Sequence, residues 1–174
     1  MNINKLTQKI EEASRKCFLE LRNKYGEANI SGYALYSDAS AMSVSPALNS
    51  VSHLEKKRTE DPSDFIYYKW SPGEWAHEFE GAGFFQEVSK LLSEEAKNME
   101  TQDKLEDFKR TVYEACVQSL ENLISEGLLV KSDDAYVIVF TISDSEDPEK
   151  EIEWIKRLNT ESNSKEFSAW IVTL

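Results

Sequence analysis

Glu74 and His77 are the residues whose types and spacing come closest to a chemical site. They form a Glu-x-x-His motif, and two residues three apart share one face of a helix. Carboxylate-bridged di-iron bundles use this motif twice and add glutamates from other helices. Because the motif occurs once here, it lacks the ligand number that such a site needs. The sequence favours a structural role, with Glu74 capping a helix and His77 packed or solvated, and predicts no metal.

Hydrolase and nucleotide chemistry find little support in the rest of the chain. Only two histidines are present, His53 and His77, and a serine nucleophile needs an oriented histidine beside it. There is no Gly-x-Ser-x-Gly elbow, and the Gly81-x-Gly83 pair has no third glycine after it. We therefore expect no cofactor and favour a protein without enzymatic activity. An enzyme that uses Glu74 and His77 stays as an alternative.

The two cysteines, Cys17 and Cys116, lie inside helical patterns. Neither belongs to a Cys-x-x-Cys motif or a Cys/His cluster, which excludes a zinc site of the usual kind. Buried thiols that stay reduced are typical of cytosolic proteins. The sequence predicts that state here, and it leaves open a disulfide between two helices.

Charge and length narrow the class of partner and the compartment. The 174 residues carry 32 acidic and 20 basic side chains, a net charge of −12. A nucleic-acid binder needs lysine and arginine to displace counterions, so direct binding to DNA or RNA is disfavoured. The longest apolar run, residues 135–140, is too short to span a bilayer, and the first six residues lack a signal-peptide core. We expect one domain, residues 1–174, in the cytoplasm and not in a membrane.

Acidic residues concentrate where the last predicted strand leads into a helix. Acidic side chains at a helix N-terminus complement its dipole, and this structural explanation is the one that the sequence favours. The alternative is a docking surface for a basic protein partner. The cluster comprises Asp144, Glu146, Asp147, Glu149, Glu151 and Glu153.

Aromatic residues surround the Glu-x-x-His motif. Tyr68 and Trp75 could form a binding hot spot together with His77, because aromatic side chains dominate the energetics of many interfaces. They could equally pack a strand onto a helix. For Trp70 we favour a place in the core.

The hydrophobic pattern predicts an α+β fold: a mainly antiparallel sheet of about four strands with helices packed against it. Predicted strands cover residues 30–37, 65–70 and 136–142, and residues 42–44 could return antiparallel to the first strand as a hairpin. The last strand is apolar on both faces, which implies a central position. Ser45-Pro46 and Ser71-Pro72 are each interpreted as a helix start, the second with a capping box to Glu74. Other predicted helices cover residues 4–25, 84–99 and 101–126, and the tail 160–174 could be helix or strand.

Four segments resemble a bacterial family known as domain of unknown function 4303. They are residues 32–36 (GYALY), 44–49 (VSPALN), 68–75 (YKWSPGEW) and 137–142 (VIVFTI), and the Trp-Ser-Pro-x-Glu-Trp motif is the most specific part. The resemblance implies a single-domain bacterial cytosolic protein. Members look similar in style to proteins encoded near polymorphic toxin systems, which suggests an immunity or binding role. No catalytic residues carry over.

Three functions therefore stand as expectations. The first is a non-enzymatic binding protein, such as an immunity-type inhibitor of a toxin, with a basic partner. The second is a metal-dependent or other enzyme that uses Glu74 and His77. The third is a structural or adaptor protein that associates with a second copy of itself.

Overall fold

A computed structural model describes residues 2–133, 136–143 and 147–173. The chain combines helices with one sheet, which confirms the predicted α+β class. The helices are α1 (Ile3–Tyr25), α2 (Val51–Glu60), α3 (Phe65–Trp70), α4 (Gln86–Ala96), α5 (Gln102–Ser125), α6 (Pro148–Leu158) and α7 (Glu161–Ile171). The strands are β1 (Ile30–Ser37), β2 (Val44–Ser50), β3 (His77–Glu78) and β4 (Val137–Ile142). Among these helices, none has the length and apolarity needed to cross a membrane.

The four strands form one sheet in the order β3-β2-β1-β4. The pairs β3/β2 and β2/β1 are antiparallel, and β1/β4 is parallel. The mainly antiparallel sheet is thus confirmed, but the central position predicted for β4 is wrong. Strand β4 lies at an edge and is apolar on both faces because each face is covered by a separate buried cluster.

The two faces of the sheet are covered in different ways. The larger cluster fills the space toward α1 and α5, and the buried apolar residues of α1 belong to it. The smaller cluster lies on the opposite face, where small strand residues such as Ala34 and Ala47 make room for the indoles of Trp70 and Trp75. Large rings over small side chains let this layer pack closely.

The helix start predicted at Ser45-Pro46 is wrong, because these residues lie inside β2. Pro46 lacks an N–H, but its carbonyl accepts from the Phe79 amide at 3.1 Å. The helix begins instead at Val51, where the Ser50 hydroxyl accepts the His53 amide at 3.2 Å. The local signal of Ser-Pro was overridden by antiparallel pairing of β2 with β1, so the return suggested at residues 42–44 continues as a strand from Val44 to Ser50.

The strand predicted at residues 65–70 is also wrong, because this segment is helix α3. Its Tyr67 and Trp70 rings pack against α7, and Trp70 also lies over the sheet in the smaller cluster. The Trp70 indole meets Phe167 with ring centroids 5.1 Å apart and donates to Glu166 at 2.9 Å. Trp70 is 2% exposed, so its predicted place in the core is confirmed. The tail, left open between helix and strand, is α7.

Lys69 is a buried cation that joins α3 to α7. Its ammonium donates to Glu166 at 2.6 Å and to Asn163 at 2.9 Å. Removing one partner of a buried ion pair costs several kcal/mol, less where the other partner reaches solvent as Glu166 does. We expect Lys69→Met to lower the free energy of unfolding by about 2 kcal/mol, measured by urea denaturation.

Lys165 provides the matched control on α7. Its pair with Glu161 has side chains 75% and 83% exposed. We expect Lys165→Met to change the free energy of unfolding by less than about 0.5 kcal/mol. If both variants lose the same free energy of unfolding, the buried ion pair contributes no more to stability than an exposed one.

Candidate functional site

The segment from Ser71 to Glu80 connects α3 to the edge of the sheet. It makes one 3₁₀ turn, Pro72–Glu74, and then enters β3. The α-helix predicted to start at Ser71-Pro72 is wrong, and within the described residues the Ser71 side chain makes no capping hydrogen bond. Glu74 therefore ends a turn while His77 lies in a strand, so the two do not share a helix face.

His77 is held between α1 and Glu80. Its ring stacks on Tyr25 with centroids 3.8 Å apart and an interplanar angle of 18°. Its Nδ1 lies 3.2 Å from a Glu80 carboxylate oxygen. Burial lowers the pKa of His77 and outweighs the opposing effect of Glu80. The arrangement favours a neutral, packed imidazole.

Glu74 has other partners than His77. Its carboxylate accepts the hydroxyl of Tyr67 at 3.2 Å, and its backbone oxygen lies 3.0 Å from Nε2 of His53. Across residues 2–133, 136–143 and 147–173, no group of three or more His, Cys, Asp or Glu side chains has the spacing to hold a metal ion. The side chains of Glu74 and His77 contact different partners, so the geometry does not bring them together around one ligand.

Trp75 and Tyr68 lie on different sides of this segment. Trp75 is 4% exposed, belongs to the smaller cluster, and covers Gly32 on β1. Tyr68 is half-buried near α2: its hydroxyl donates to Asp61 at 3.3 Å, and the ammonium of Lys57 lies 4.5 Å from its ring centroid. Tyr68, Trp75 and His77 therefore do not form one surface.

The acidic cluster near α6 is described only in part. Asp144 and Glu146 lie outside the described residues. Asp147 is the N-cap of α6, and its carboxylate accepts the Lys150 amide at 3.1 Å. Glu151 is buried and accepts the hydroxyl of Thr141 at 2.8 Å. Both side chains take part in the helix start that the sequence favoured.

Both cysteines are buried free thiols, as predicted. Burial raises the pKa of Cys17 to about 12 and also raises that of Cys116. A nucleophilic cysteine needs a lowered pKa and access to solvent. Neither thiol meets these requirements.

Sequence reasoning missed Tyr36, Glu78 and Phe79. The Tyr36 hydroxyl donates to Glu78 at 3.2 Å, and its ring meets that of Phe79 edge-on with centroids 5.3 Å apart. Phe79 is 53% exposed and has a φ of +61°. The available signal was a phenylalanine between two glutamates, with a glycine two residues later.

Three glutamates of this segment each accept a hydrogen bond from a tyrosine. The pairs are Tyr67–Glu74, Tyr36–Glu78 and Tyr25–Glu80, and the shortest oxygen–oxygen distances are 3.2, 3.2 and 2.6 Å. Burial and then the neighbouring carboxylate raise the pKa of Tyr36 and of Tyr67. We call these six residues together with Phe79 the tyrosine–glutamate strip.

The strip combines ionised carboxylates with aromatic rings. The Lys24 ammonium donates to Glu80 at 2.5 Å, so the charge of the Glu80 carboxylate is already balanced by a cation of the same chain. Glu74 and Glu78 are exposed and have tyrosine partners. Carboxylates and aromatic faces both attract lysine and arginine side chains.

Comparison with known proteins gives a match to one family. A family model described as a domain of unknown function (DUF4303) matches residues 10–160. No curated protein and no solved structure matches the chain.

Proposed function

Because the chain belongs to the family described as domain of unknown function 4303, whose description assigns no activity, we propose a function from its own surface. The protein is a non-enzymatic binding protein that recognises a basic protein partner. The observation that carries this proposal is one part of the tyrosine–glutamate strip, where the exposed Phe79 ring and the Glu78 carboxylate both contact the side chain of Tyr36.

Charge supports the same conclusion at longer range. The net charge of −12 attracts a basic partner and accelerates its encounter. The strip adds fixed short-range contacts, because hydrogen bonds from tyrosines restrict the carboxylates before any partner arrives. Less side-chain freedom is then lost on binding.

The form of this function that we favour is an immunity-type inhibitor acting in the bacterial cytoplasm. Such a protein needs a surface complementary to one partner and no catalytic group of its own. The enzyme alternative would need Glu74 and His77 to act together, whereas their side chains contact Tyr67 and Glu80 respectively. Association with a second copy remains the alternative that the test below separates.

A defined basic peptide tests the strip. The probe is a ten-residue Gly/Ser peptide with four arginines, titrated into isotope-labelled protein and followed by amide shifts. We expect shifts centred on residues 74–80. Because two exposed carboxylates are neutralised, Glu74→Gln combined with Glu78→Gln is expected to weaken binding about tenfold.

The control removes the same charge elsewhere. Glu100 and Glu161 have side chains 81% and 83% exposed and each pairs with a lysine. We expect their double exchange to glutamine to weaken binding less than twofold, roughly the effect of a remote, screened charge. Equal weakening by both double variants would mean that net charge alone attracts the peptide, and the proposed site would be wrong.

A further inference from the structure

Phe79 has a conformation that its own chemistry does not favour. A φ of +61° is uncommon for a residue with a bulky side chain. Two backbone hydrogen bonds hold it: the Phe79 amide donates to Pro46 at 3.1 Å, and its carbonyl accepts the Ala82 amide at 3.0 Å. Backbone conformations of this kind cluster at binding sites, where the surrounding structure maintains them.

The conformation places the phenyl ring at the surface and not in a core. Phe79 is 53% exposed and belongs to neither buried cluster of the described residues. Its ring meets that of Tyr36 edge-on, with centroids 5.3 Å apart. Part of the ring is therefore open to a partner group.

Tyr36 links this ring to a carboxylate. Its ring contacts Phe79 and its hydroxyl donates to Glu78, so the two groups lie within the reach of one tyrosine side chain. A Cβ added at Gly73 would lie 3.8 Å from a carboxylate oxygen of Glu78. Because Gly73 has no side chain, the approach to Glu78 from that direction stays open.

We infer that Phe79, Tyr36 and Glu78 form a receptor for one arginine side chain of the basic partner. This inference rests on the proposed function. A guanidinium is planar, stacks on an aromatic face and at the same time donates two parallel hydrogen bonds to a carboxylate. An ammonium on a flexible stem makes the ion pair without the stacking. The receptor therefore selects arginine over lysine.

The test compares two peptides of equal charge. One Gly/Ser decapeptide carries four arginines, and the other carries four lysines at the same positions. For the unmodified protein we expect the arginine peptide to bind roughly fivefold tighter, which is the scale of a single exposed cation–π contact. Calorimetry or amide-shift titration gives both affinities.

Phe79→Asn removes the ring and keeps a residue that tolerates the left-handed backbone. We expect it to abolish the preference for arginine and to leave lysine-peptide binding within twofold. Val130→Asn is the control, because Val130 is another exposed apolar residue, 62% accessible. It should leave the preference intact.

The possible results separate the two proposals. If both peptides bind equally tightly at residues 74–80, the arginine receptor is wrong and the proposed function stands. If neither peptide binds, both are wrong. A preference that survives in Phe79→Asn also contradicts the receptor. Concentration-dependent self-association that disappears in Phe79→Asn would assign the ring to a second copy of the chain.

Discussion

Replacing Gly81 with alanine is expected to lower the free energy of unfolding by about 3 kcal/mol. Gly81 has a φ of +84°, and a Cβ added there would lie 2.5 Å from the sulfur of Cys17. Cys17 is fully buried on α1 and cannot move aside into solvent. The loss thus combines about 1 kcal/mol of backbone strain with about 2 kcal/mol of overpacking.

A double variant separates these two contributions. Cys17→Ala removes the sulfur and leaves the Cys17 Cβ 3.5 Å from the added carbon, an ordinary contact. In that background, Gly81→Ala should cost only about 1 kcal/mol, so the two substitutions should couple by about 2 kcal/mol. Urea denaturation of the four proteins completes the cycle.

Gly127 provides a control for strain alone. It has a φ of +75°, and a Cβ added there meets nothing within 4 Å. We expect Gly127→Ala to cost about 1 kcal/mol. If Gly81→Ala costs no more than this, the close approach of Gly81 to Cys17 is not a constraint on the fold.

The expected loss concerns the binding surface as well as the core. Gly81 directly follows Phe79 and Glu80, and the turn it makes returns the chain from the sheet edge to α1. There the Cys17 thiol donates to the Glu80 carbonyl at 3.7 Å. The turn at Gly81 therefore helps to hold Glu80 of the strip against α1.

The elements that the sequence predicted correctly are those with a long, self-contained pattern. Helix α5 matches the predicted residues 101–126, with Thr101 as N-cap and Gly127 after its end. Strand β4 is a run of apolar residues within the predicted range 136–142. In both, the hydrophobic period extends over the whole element, so local and tertiary preferences agree.

The errors occur where a short local signal competed with a distant partner. Strand β2 begins with Ser-Pro chemistry typical of a helix, yet β1 pairs with it along most of its length. Helix α3 has the aromatic composition of a strand, yet Lys69 and Trp70 bond to Glu166 nearly one hundred residues later. The partner of α3 lies outside any local window of sequence, whereas β1 is close to β2 in the chain and its pairing competed with the Ser-Pro signal.

The candidate site was only half predictable for the same reason. The aromatic composition around Glu74 and His77 points to this segment, but the sequence predicts a strand at residues 65–70 and a helix from Ser71, whereas the structure has a helix followed by a 3₁₀ turn and a short strand. The structure buries Trp75, which the sequence offered as a hot-spot residue, and exposes Phe79, which the sequence did not single out. Tyr36, which links Phe79 to Glu78, is about forty residues away in sequence and joins them through the sheet.

Replacing Trp75 with alanine is expected to lower the free energy of unfolding by about 4 kcal/mol. Trp75 is 4% exposed, and its ring lies against the sheet in the smaller cluster with Val137 and Val139. Removing a buried indole loses apolar contacts and leaves a cavity that the rigid sheet cannot fill. Phe79→Ala, which truncates an aromatic that is 53% exposed, should change stability by less than about 0.5 kcal/mol.

The close contact with Gly32 makes this role specific to the indole. A Cβ added at Gly32 would lie 2.9 Å from Cη2 of Trp75 and 3.2 Å from the carbonyl oxygen of Val137. Gly32→Ala alone should therefore cost about 2 kcal/mol through overpacking. After Trp75→Ala only the carbonyl contact remains, and the same substitution should cost about 1 kcal/mol.

Additive losses in this cycle would mean that Trp75 and Gly32 do not contact each other.

Trp75 and Phe79 are expected to control different properties, the first stability and the second the preference for arginine. Trp75→Ala should lower stability and leave the arginine-peptide affinity of the folded fraction within twofold, since Trp75 is buried in the smaller cluster and is not part of the strip. Phe79→Ala should show the reverse, with little loss of stability and a lost preference for arginine. This opposition distinguishes a residue that supports the surface from one that contacts the partner.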